Sequence, residues 1–275
     1  MTARPRFRAG ALDARLERDG YVVVPGAARR SLRSFRRVHR RVVGEVPPGF
    51  DSTLYSGDEQ LKRSVHAELL AVFAPLLDEL LEGHRPLLTN FVTKGRDPGG
   101  SMAPHQDWTF VDEPAHASIN VWVPLTRVDH RNGAMSVLPK GHRMDLTIRG
   151  TETPNPFEAI EAEAAARMVE LPMEAGDVLV HDHRLLHSSP PNLRRRPRVV
   201  AGCAVVGDRS ELLHYRQAGP GRVERFTLDA AFYTEHTFGA ADLPPSATRV
   251  AEVDFAQPRF EVADLPGITS REAAS

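Results

Sequence analysis

Apolar and polar positions along residues 11–46 alternate between helical and extended spacing. "ALDARLERDGYVVVP" (11–25) predicts a short helix, a turn at Asp19-Gly20 and a strand stopped by Pro25. In "AARRSLRSFRRVHRRVVGEV" (27–46), Leu32, Phe35, Val38 and Val42 recur at helical intervals among many arginines. "SVHAELLAVFAPLLDELLE" (64–82) predicts a second amphipathic helical region. Ser64 is placed to cap it, Pro75 to kink or restart it, and Gly83 to end it.

From residue 87 the period shortens. "LLTNFVTKG", "ASINVWVPL", "AMSVLP", "RMVELPM", "DVLVHDH" and "RVVAGCAVVG" are short segments, many rich in β-branched residues, separated by Gly, Pro, Asn and Asp. Asn132-Gly133 and Gly176-Asp177 are tight-turn signals. Such a series predicts a sandwich, jelly roll or barrel. "PNPFEAIEAEAAARM" (154–168) interrupts it with a probable-helix composition, an insertion between strands. The tail after residue 208 is aromatic-rich in "FTLDAAFYTEHTFG", and "TSREAAS" at the end reads as frayed.

Composition narrows the class. The chain has 275 residues, of which 41% are hydrophobic and 26% charged, as expected of a soluble globular protein with a sizeable core. A formal net charge of −1 supplies no overall field toward nucleic acid or membrane. The arginines of 27–46 lack an interleaved aromatic platform, so they read as a solvated helix face or as contacts within the fold. No secretory signal and no transmembrane run is expected. The single cysteine, Cys203, excludes an intramolecular disulfide and a multi-cysteine zinc site, and fits a cytoplasmic setting. A metal here must be held by His, Asp or Glu.

"APHQDWTFVDE" (103–113) offers such ligands. On a strand, residues i and i+2 share a face, so His105 and Asp107 can reach one ion while Gln106 faces away. The third ligand must come from a distant segment. "GDVLVHDHRLLHSSPPN" supplies His181, His183 and His187. His187 fits best, because a polar turn and a strand opening with an arginine follow it. That order places a metal ligand near a bidentate carboxylate binder. Two histidines and one carboxylate leave positions open, an arrangement suited to non-haem Fe(II) with a cosubstrate and O2. Zinc is the rival ion. A zinc hydrolase would need a general base, for which Glu113 is the candidate, but would leave the arginine unexplained.

Together these motifs resemble the phytanoyl-CoA dioxygenase family of Fe(II)/2-oxoglutarate-dependent oxygenases. The resemblance runs from "LERDGYVVVPG" to about residue 206. "PHQDWTF" resembles the family's HQD strand. "NVWVPLTRVDHRNGAMSVLPKGH" resembles its central segment, and "AGDVLVHDHRLLHSSPPNLRRRPRVVAGCAVV" its distal-histidine strand, turn and arginine. It implies a mainly β fold with flanking helices and a double-stranded β-helix (jelly-roll, cupin-like) core. It implies one domain over 1–275: a helical N-terminal region to about 86, the core over about 87–207 and an extension over 208–275.

The resemblance further implies that His105, Asp107 and His187 bind iron. Arg198 and Ser189 would hold the distal carboxylate of 2-oxoglutarate, Trp122 would line its pocket, and Lys94 sits at a position where the family often has a lysine. Arg194, Arg195 and Arg196 do not match the family arginine and read as solvated. "PKGH" departs from the family's usual "PGSH", so His142 reads as structural. The implied reaction hydroxylates an unactivated C–H of a small molecule with release of succinate and CO2. Desaturation, cyclisation or epimerisation can use the same centre. Asp107 stands where related halogenases have Gly or Ala, which argues against halogenation. Trp108, Phe110 and the loop "VDEPAHAS" are candidates for substrate contact, and Tyr215, Arg216, Tyr233, His236 and Phe238 for a lid. Ordinary packing is the competing reading for each. The substrate can be free, coenzyme A-linked or carrier-protein-linked. A non-enzymatic metal-binding sensor is the alternative from another class. The sequence carries no signal for oligomeric state.

Overall fold

The structure is a computed structural model that describes residues 6–144, 148–150, 153–236 and 243–267. The N-terminal part runs through β1 (Arg6–Phe7), α1 (Gly10–Asp19), β2 (Tyr21–Val24), α2 (Leu32–Val42), β3 (Phe50–Ser52) and α3 (Glu59–Leu80). The short β4 (Leu81–Glu82) pairs with β1. Next come β5 (His84–Lys94), β6 (Met102–His105), β7 (Ser118–Pro124) and β8 (Met135–Val137). The insertion folds as a 3-10 turn and α4 (Glu161–Ala166), followed by β9 (Val169–Leu171), β10 (Val178–Asp182), β11 (His187–Ser189) and β12 (Arg198–Gly207).

Two antiparallel sheets form a jelly-roll core. The larger has six strands in the order β2-β10-β7-β12-β5-β3, and the smaller has four in the order β6-β11-β8-β9. The first N-terminal strands therefore belong to the core sheet: β2 pairs with β10, and β3 with β5. The boundary expected near residue 86 is not a structural seam. Val22 and the strand after Gly20 are recruited because β10 would otherwise be left as an unpaired edge.

The larger sheet is covered on both faces, which explains why β12 is buried along its whole length. Val199, Ala201, Cys203 and Val205 point into a core shared with α1, α2 and α3. Val200 points the other way, into a core with Trp122, Leu179, Met135 and Val137 that joins the two sheets. A strand buried on both faces reads as a continuous apolar run, as "VVAGCAVV" does.

The helices differ from expectation in the start of α3, in its proline and in its end, which falls at Leu80 and not at Gly83. α3 is capped by Asp58, whose carboxylate accepts from the Leu61 N–H at 3.0 Å, and Ser64 lies inside the helix. Pro75 neither breaks nor restarts it. Proline in a helix costs about 3 kcal/mol, and the burial of Phe73, Leu76 and Leu77 on either side offsets that. α1 ends at Gly20 as expected, with φ +84°. A Cβ there would stand 2.4 Å from His142 Nδ1, so the position requires glycine twice over. His142 is buried and its Nε2 lies 3.1 Å from the Glu17 carbonyl, which ties the 3-10 turn after β8 to α1.

Two arginines of α2 make contacts within the fold, while Arg33, Arg37 and Arg40 are exposed. Arg36 donates twice to the Leu125 carbonyl, and Arg41 pairs with Glu68. Among the described residues, no helix is long and apolar enough to cross a membrane.

The tail, indistinct in the sequence, contains β13 (Leu213–Gly219), β14 (Arg222–Leu228), the single-turn α5 (Phe232–Glu235) and β15 (Ala247–Asp254). Its three strands form a separate antiparallel sheet in the order β13-β14-β15. Phe232 and Tyr233 of α5 pack with Phe110 and Ala204. "TSREAAS" and Phe238 lie outside the described residues.

Candidate active site

β11 pairs antiparallel with β6 so that His187 stands directly opposite His105. Their ring centroids are 4.3 Å apart. Asp107 completes the group: its Oδ1 is 3.8 Å from His187 Nε2, and one ligand atom from each of the three residues lies within 4.8 Å of the others. The strand carrying His105 ends at that residue, so strand alternation does not place Asp107. Two backbone contacts do so instead. The Asp107 N–H donates to the His183 carbonyl at 3.0 Å, and Arg149 Nε donates to the Asp107 carbonyl at 2.7 Å. Gln106 is anchored sideways, its amide donating to the Arg184 carbonyl at 2.6 Å.

The local hydrogen bonds prepare these rings as ligands. His105 Nδ1 lies 2.8 Å from the Ala103 carbonyl, and His187 Nδ1 2.9 Å from the Leu185 carbonyl. A carbonyl can only accept, so each Nδ1 carries the proton and each Nε2 keeps its lone pair. Burial and then the neighbouring His187 ring push His105 down to about 4. Burial also lowers His187. Burial alone would raise the Asp107 carboxyl. The imidazoles of His187, His183, His181 and His105 overcome that and hold it well below the usual carboxylate range. At neutral pH the set is two neutral imidazoles and one carboxylate. Asp107 Oδ2 is buried and accepts no hydrogen bond from any described residue. An orphaned carboxylate oxygen facing two imidazole lone pairs is a costly arrangement unless a cation sits among them.

The rival histidines are elsewhere. His181 is fully buried, with its ring 5.0 Å from that of His187, and it stands outside the close group. His183 lines the same cavity, but its Nδ1 is 2.8 Å from Ser118 Oγ and its ring packs edge-on against Phe110 at 4.7 Å. Burial pushes His183 down to about 4.

The triad opens into a cavity with an empty volume of about 990 Å³, its mouth included. Arg198, at the start of β12, lies on its wall and is 2% exposed. The guanidinium sits 5.5 Å from the centre of the Trp122 ring, and its Nη1 donates to the Gly133 carbonyl at 3.1 Å. Its buried Nε has no partner. Lys94 is opposite Arg198 in the β5–β12 register. No carboxylate among the described residues forms an ion pair with either cation. Burial lowers Arg198 to about 9, and burial with the Arg198 charge lowers Lys94 to about 7. A buried guanidinium on the cavity wall without a counter-ion makes a site for an anion.

Ser189 and Trp122 line the cavity beside Arg198. Lys94 does not border it. Its ammonium instead donates to the carbonyls of Ser189 (3.0 Å) and Pro190 (2.7 Å), so it braces the strand that carries His187 and Ser189. The packing reason is Gly133, whose missing Cβ leaves space for the Lys94 chain; a Cβ there would be 2.9 Å from Lys94 Cδ.

Trp108 and Phe110 border the cavity on the side away from Arg198. Of the residues considered for a lid, the described ones (Tyr215, Arg216, Tyr233 and His236) do not line it. Tyr215 and Tyr233 are buried, Arg216 pairs with Glu224 at 2.7 Å, and His236 is 2% exposed. Tyr233 meets Phe110 edge-on at 5.6 Å, so it supports the wall from behind. Glu113 is no free base: Arg149 holds both its carboxylate oxygens, at 2.8 and 2.5 Å, in a buried pair. Arg194 pairs with Asp129, and Arg195 and Arg196 are exposed. Among the cavity residues not singled out from the sequence are Asn90, Asn120 and Tyr55. Asn90 and Asn120 interrupt apolar strands on the cavity side, a signal that alternation contains. Tyr55, on a 3-10 turn before α3, gives no such signal.

Similar folds recur among solved structures. The epimerase SnoN in complex with Fe3+, alpha ketoglutarate and nogalamycin RO is 22% identical, with 88% of this chain and 96% of that one covered at a TM-score of 0.56. The non-heme alpha ketoglutarate dependent carbocyclase SnoK from nogalamycin biosynthesis is 19% identical, with 74% and 86% covered at 0.54. HygX from Streptomyces hygroscopicus, with nickel, 2-oxoglutarate and hygromycin B bound, is 16% identical, with 70% and 85% covered at 0.51. No curated protein matches the sequence significantly. The family model for phytanoyl-CoA dioxygenase (PhyH) matches residues 16–200, a span that holds α2, α3, the His105–Asp107–His187 group and Arg198, and the chain belongs to that family.

Proposed function

We propose that this protein is an Fe(II)- and 2-oxoglutarate-dependent oxygenase acting on a small molecule, with hydroxylation of an unactivated C–H as its reaction. The observation that carries this reading is the pairing, in one cavity, of the Asp107 carboxylate, whose buried Oδ2 has no donor, beside two imidazole lone pairs with the Arg198 guanidinium, which has no carboxylate partner among the described residues. The first fits a divalent cation with open positions. The second fits the far carboxylate of a dicarboxylate that reaches the metal with its other end.

His105, Asp107 and His187 would hold the iron. Bound iron with 2-oxoglutarate supplies the O2-dependent oxidation. This chain's residues do the rest. Arg198 and Ser189 fix the direction of the cosubstrate, Trp122 excludes water along its length, and Lys94 keeps the Ser189 strand in place. Asp107 fills the ligand position, which leaves no room there for a halide. The similar structures include an epimerase and a carbocyclase. Epimerisation or cyclisation is therefore the second reading of the same centre.

The buried Glu113–Arg149 pair argues against a zinc hydrolase, since its carboxylate is engaged and lies outside the cavity. A sensor that merely binds metal has no use for the Arg198 site. Purified protein supplied with Fe(II), O2 and 2-oxoglutarate should form succinate slowly without any added substrate. Succinate formation that does not require Fe(II), or none at all from iron-loaded protein, would overturn the assignment.

A further inference from the structure

The cavity is longer than the metal and its cosubstrate need. Arg198 and Ala204 lie on the same face of β12, six residues and about 20 Å apart, and both line the wall. Arg198 marks the cosubstrate end. The other end has a floor of two small residues. Gly202 faces Asn90 on one neighbouring strand and Trp122 on the other, and Ala204 faces Leu88 and Asn120. A Cβ on Gly202 would stand 2.6 Å from Asn90 Oδ1. The result is a shallow trough across the sheet between two asparagines.

Aromatic rings wall this arm. Trp108 meets Tyr55 edge-on at 6.1 Å and Phe110 at 6.4 Å, and Tyr55 is half exposed at the rim. Among the described residues that line the cavity, the only ones with a formal charge are Asp107 and Arg198. Both are committed to the metal and cosubstrate. Apart from the His105 and His187 rings, the remaining polar groups are amides, hydroxyls, the indole N–H groups of Trp108 and Trp122, and the His183 ring. Asn120 is the group aimed into the arm without a partner: its buried Oδ1 accepts no hydrogen bond from any described residue. A half-turn of its carboxamide exchanges acceptor and donor, so it can meet a hydroxyl or a carbonyl.

We infer that this arm receives an uncharged, ring-bearing molecule with a hydroxyl or carbonyl oxygen. Its rings lie over the Gly202–Ala204 floor against Trp108, and Asn120 is the positioning residue that holds its oxygen. The inference rests on the oxygenase reading. It disfavours a coenzyme A thioester, because among the described residues the wall has no further cation for the phosphates.

The test uses full-length protein loaded anaerobically with Fe(II) and 2-oxoglutarate. The probes are 2-tetralone, tetralin, tetralin-2-carboxylate and coenzyme A, with affinities measured by calorimetry or ligand-observed NMR. 2-Tetralone should bind best, with about a tenfold preference over tetralin from one hydrogen bond. Asn120→Ala should abolish that preference while tetralin affinity stays the same. Ala204→Leu should weaken both ring probes by at least about tenfold through loss of the trough. The iron–2-oxoglutarate absorption band is the control in every variant. Its absence from the wild type would sink the oxygenase reading, whereas its presence isolates this inference. With the band intact, tighter binding of tetralin-2-carboxylate or coenzyme A would overturn the inference. An unchanged ketone preference in Asn120→Ala would do the same, and that variant adds no bulk should Ala204→Leu fail to fold.

Discussion

His105 and His187 face each other across two adjacent antiparallel strands, and each ring is pinned by its Nδ1–H to the backbone carbonyl two residues earlier. The pairing joins two imidazoles from segments more than eighty residues apart into one unit. Both Nε2 lone pairs then converge beside Asp107 without any further rearrangement.

Removing either ring should therefore cost metal and leave the fold. His187→Ala or His105→Ala should weaken Fe(II) or Co(II) binding by more than about 100-fold, above the range seen for outer-sphere partners. His181→Ala should change it by less than about tenfold, because that ring lies outside the close group. Metal titration of the three variants separates the two histidine assignments.

Arg198 should act on the cosubstrate alone. Arg198→Ala should reduce 2-oxoglutarate affinity by roughly 10- to 100-fold, the worth of a charge-assisted bond at a buried site. Arg198→Lys should recover little, since an ammonium cannot reproduce the planar contact over Trp122 or the bond to Gly133. Metal affinity without cosubstrate should not move. Calorimetry with and without 2-oxoglutarate reads both quantities.

The pair Glu113–Arg149 is a buried strut and not chemistry. Glu113→Gln should lower unfolding free energy by about 3 kcal/mol, because Arg149 loses its bidentate partner in a dry setting. Iron binding should survive in the folded fraction. A variant that is fully stable but inactive would instead make Glu113 a functional base.

Stability should fall on acidification well before the carboxylates titrate. Burial holds His105, His183 and His236 down at about 4 and His214 at about 3. In the unfolded chain these rings take up protons near 6.5. Between about 6.5 and 4 the unfolded state binds more protons than the folded one, so stability is full above that window and declines through it as pH drops. Thermal midpoints of the metal-free protein should decrease steadily from pH 7 to pH 4.5. A flat profile would show that these rings are not buried neutral.

Much of this site was legible in the sequence because its chemistry is carried by side chains with few alternative uses. His105, Asp107, His187 and Arg198 stood out by type and order, and the run of short segments gave the strands. The reason for Asp107's position was not legible: it depends on backbone bonds to His183 and Arg149, which no local spacing encodes. The bracing role of Lys94 was not legible either, because its partners, the carbonyls of Ser189 and Pro190, carry no sequence signal. Asp58 was passed over as the α3 cap in favour of Ser64, since the charged first turn "EQLKR" hid the helix start. The three-stranded tail was obscured by its exposed, charged β15, whose alternation is weak.

The most direct test is anaerobic titration of the purified protein with Fe(II) and then 2-oxoglutarate, followed by visible spectroscopy. A weak charge-transfer band should grow to one equivalent of each component, be lost in Asp107→Ala, and require far more 2-oxoglutarate in Arg198→Ala. Iron binding with no such band at saturating 2-oxoglutarate, or a band indifferent to both substitutions, would contradict the assignment of this cavity.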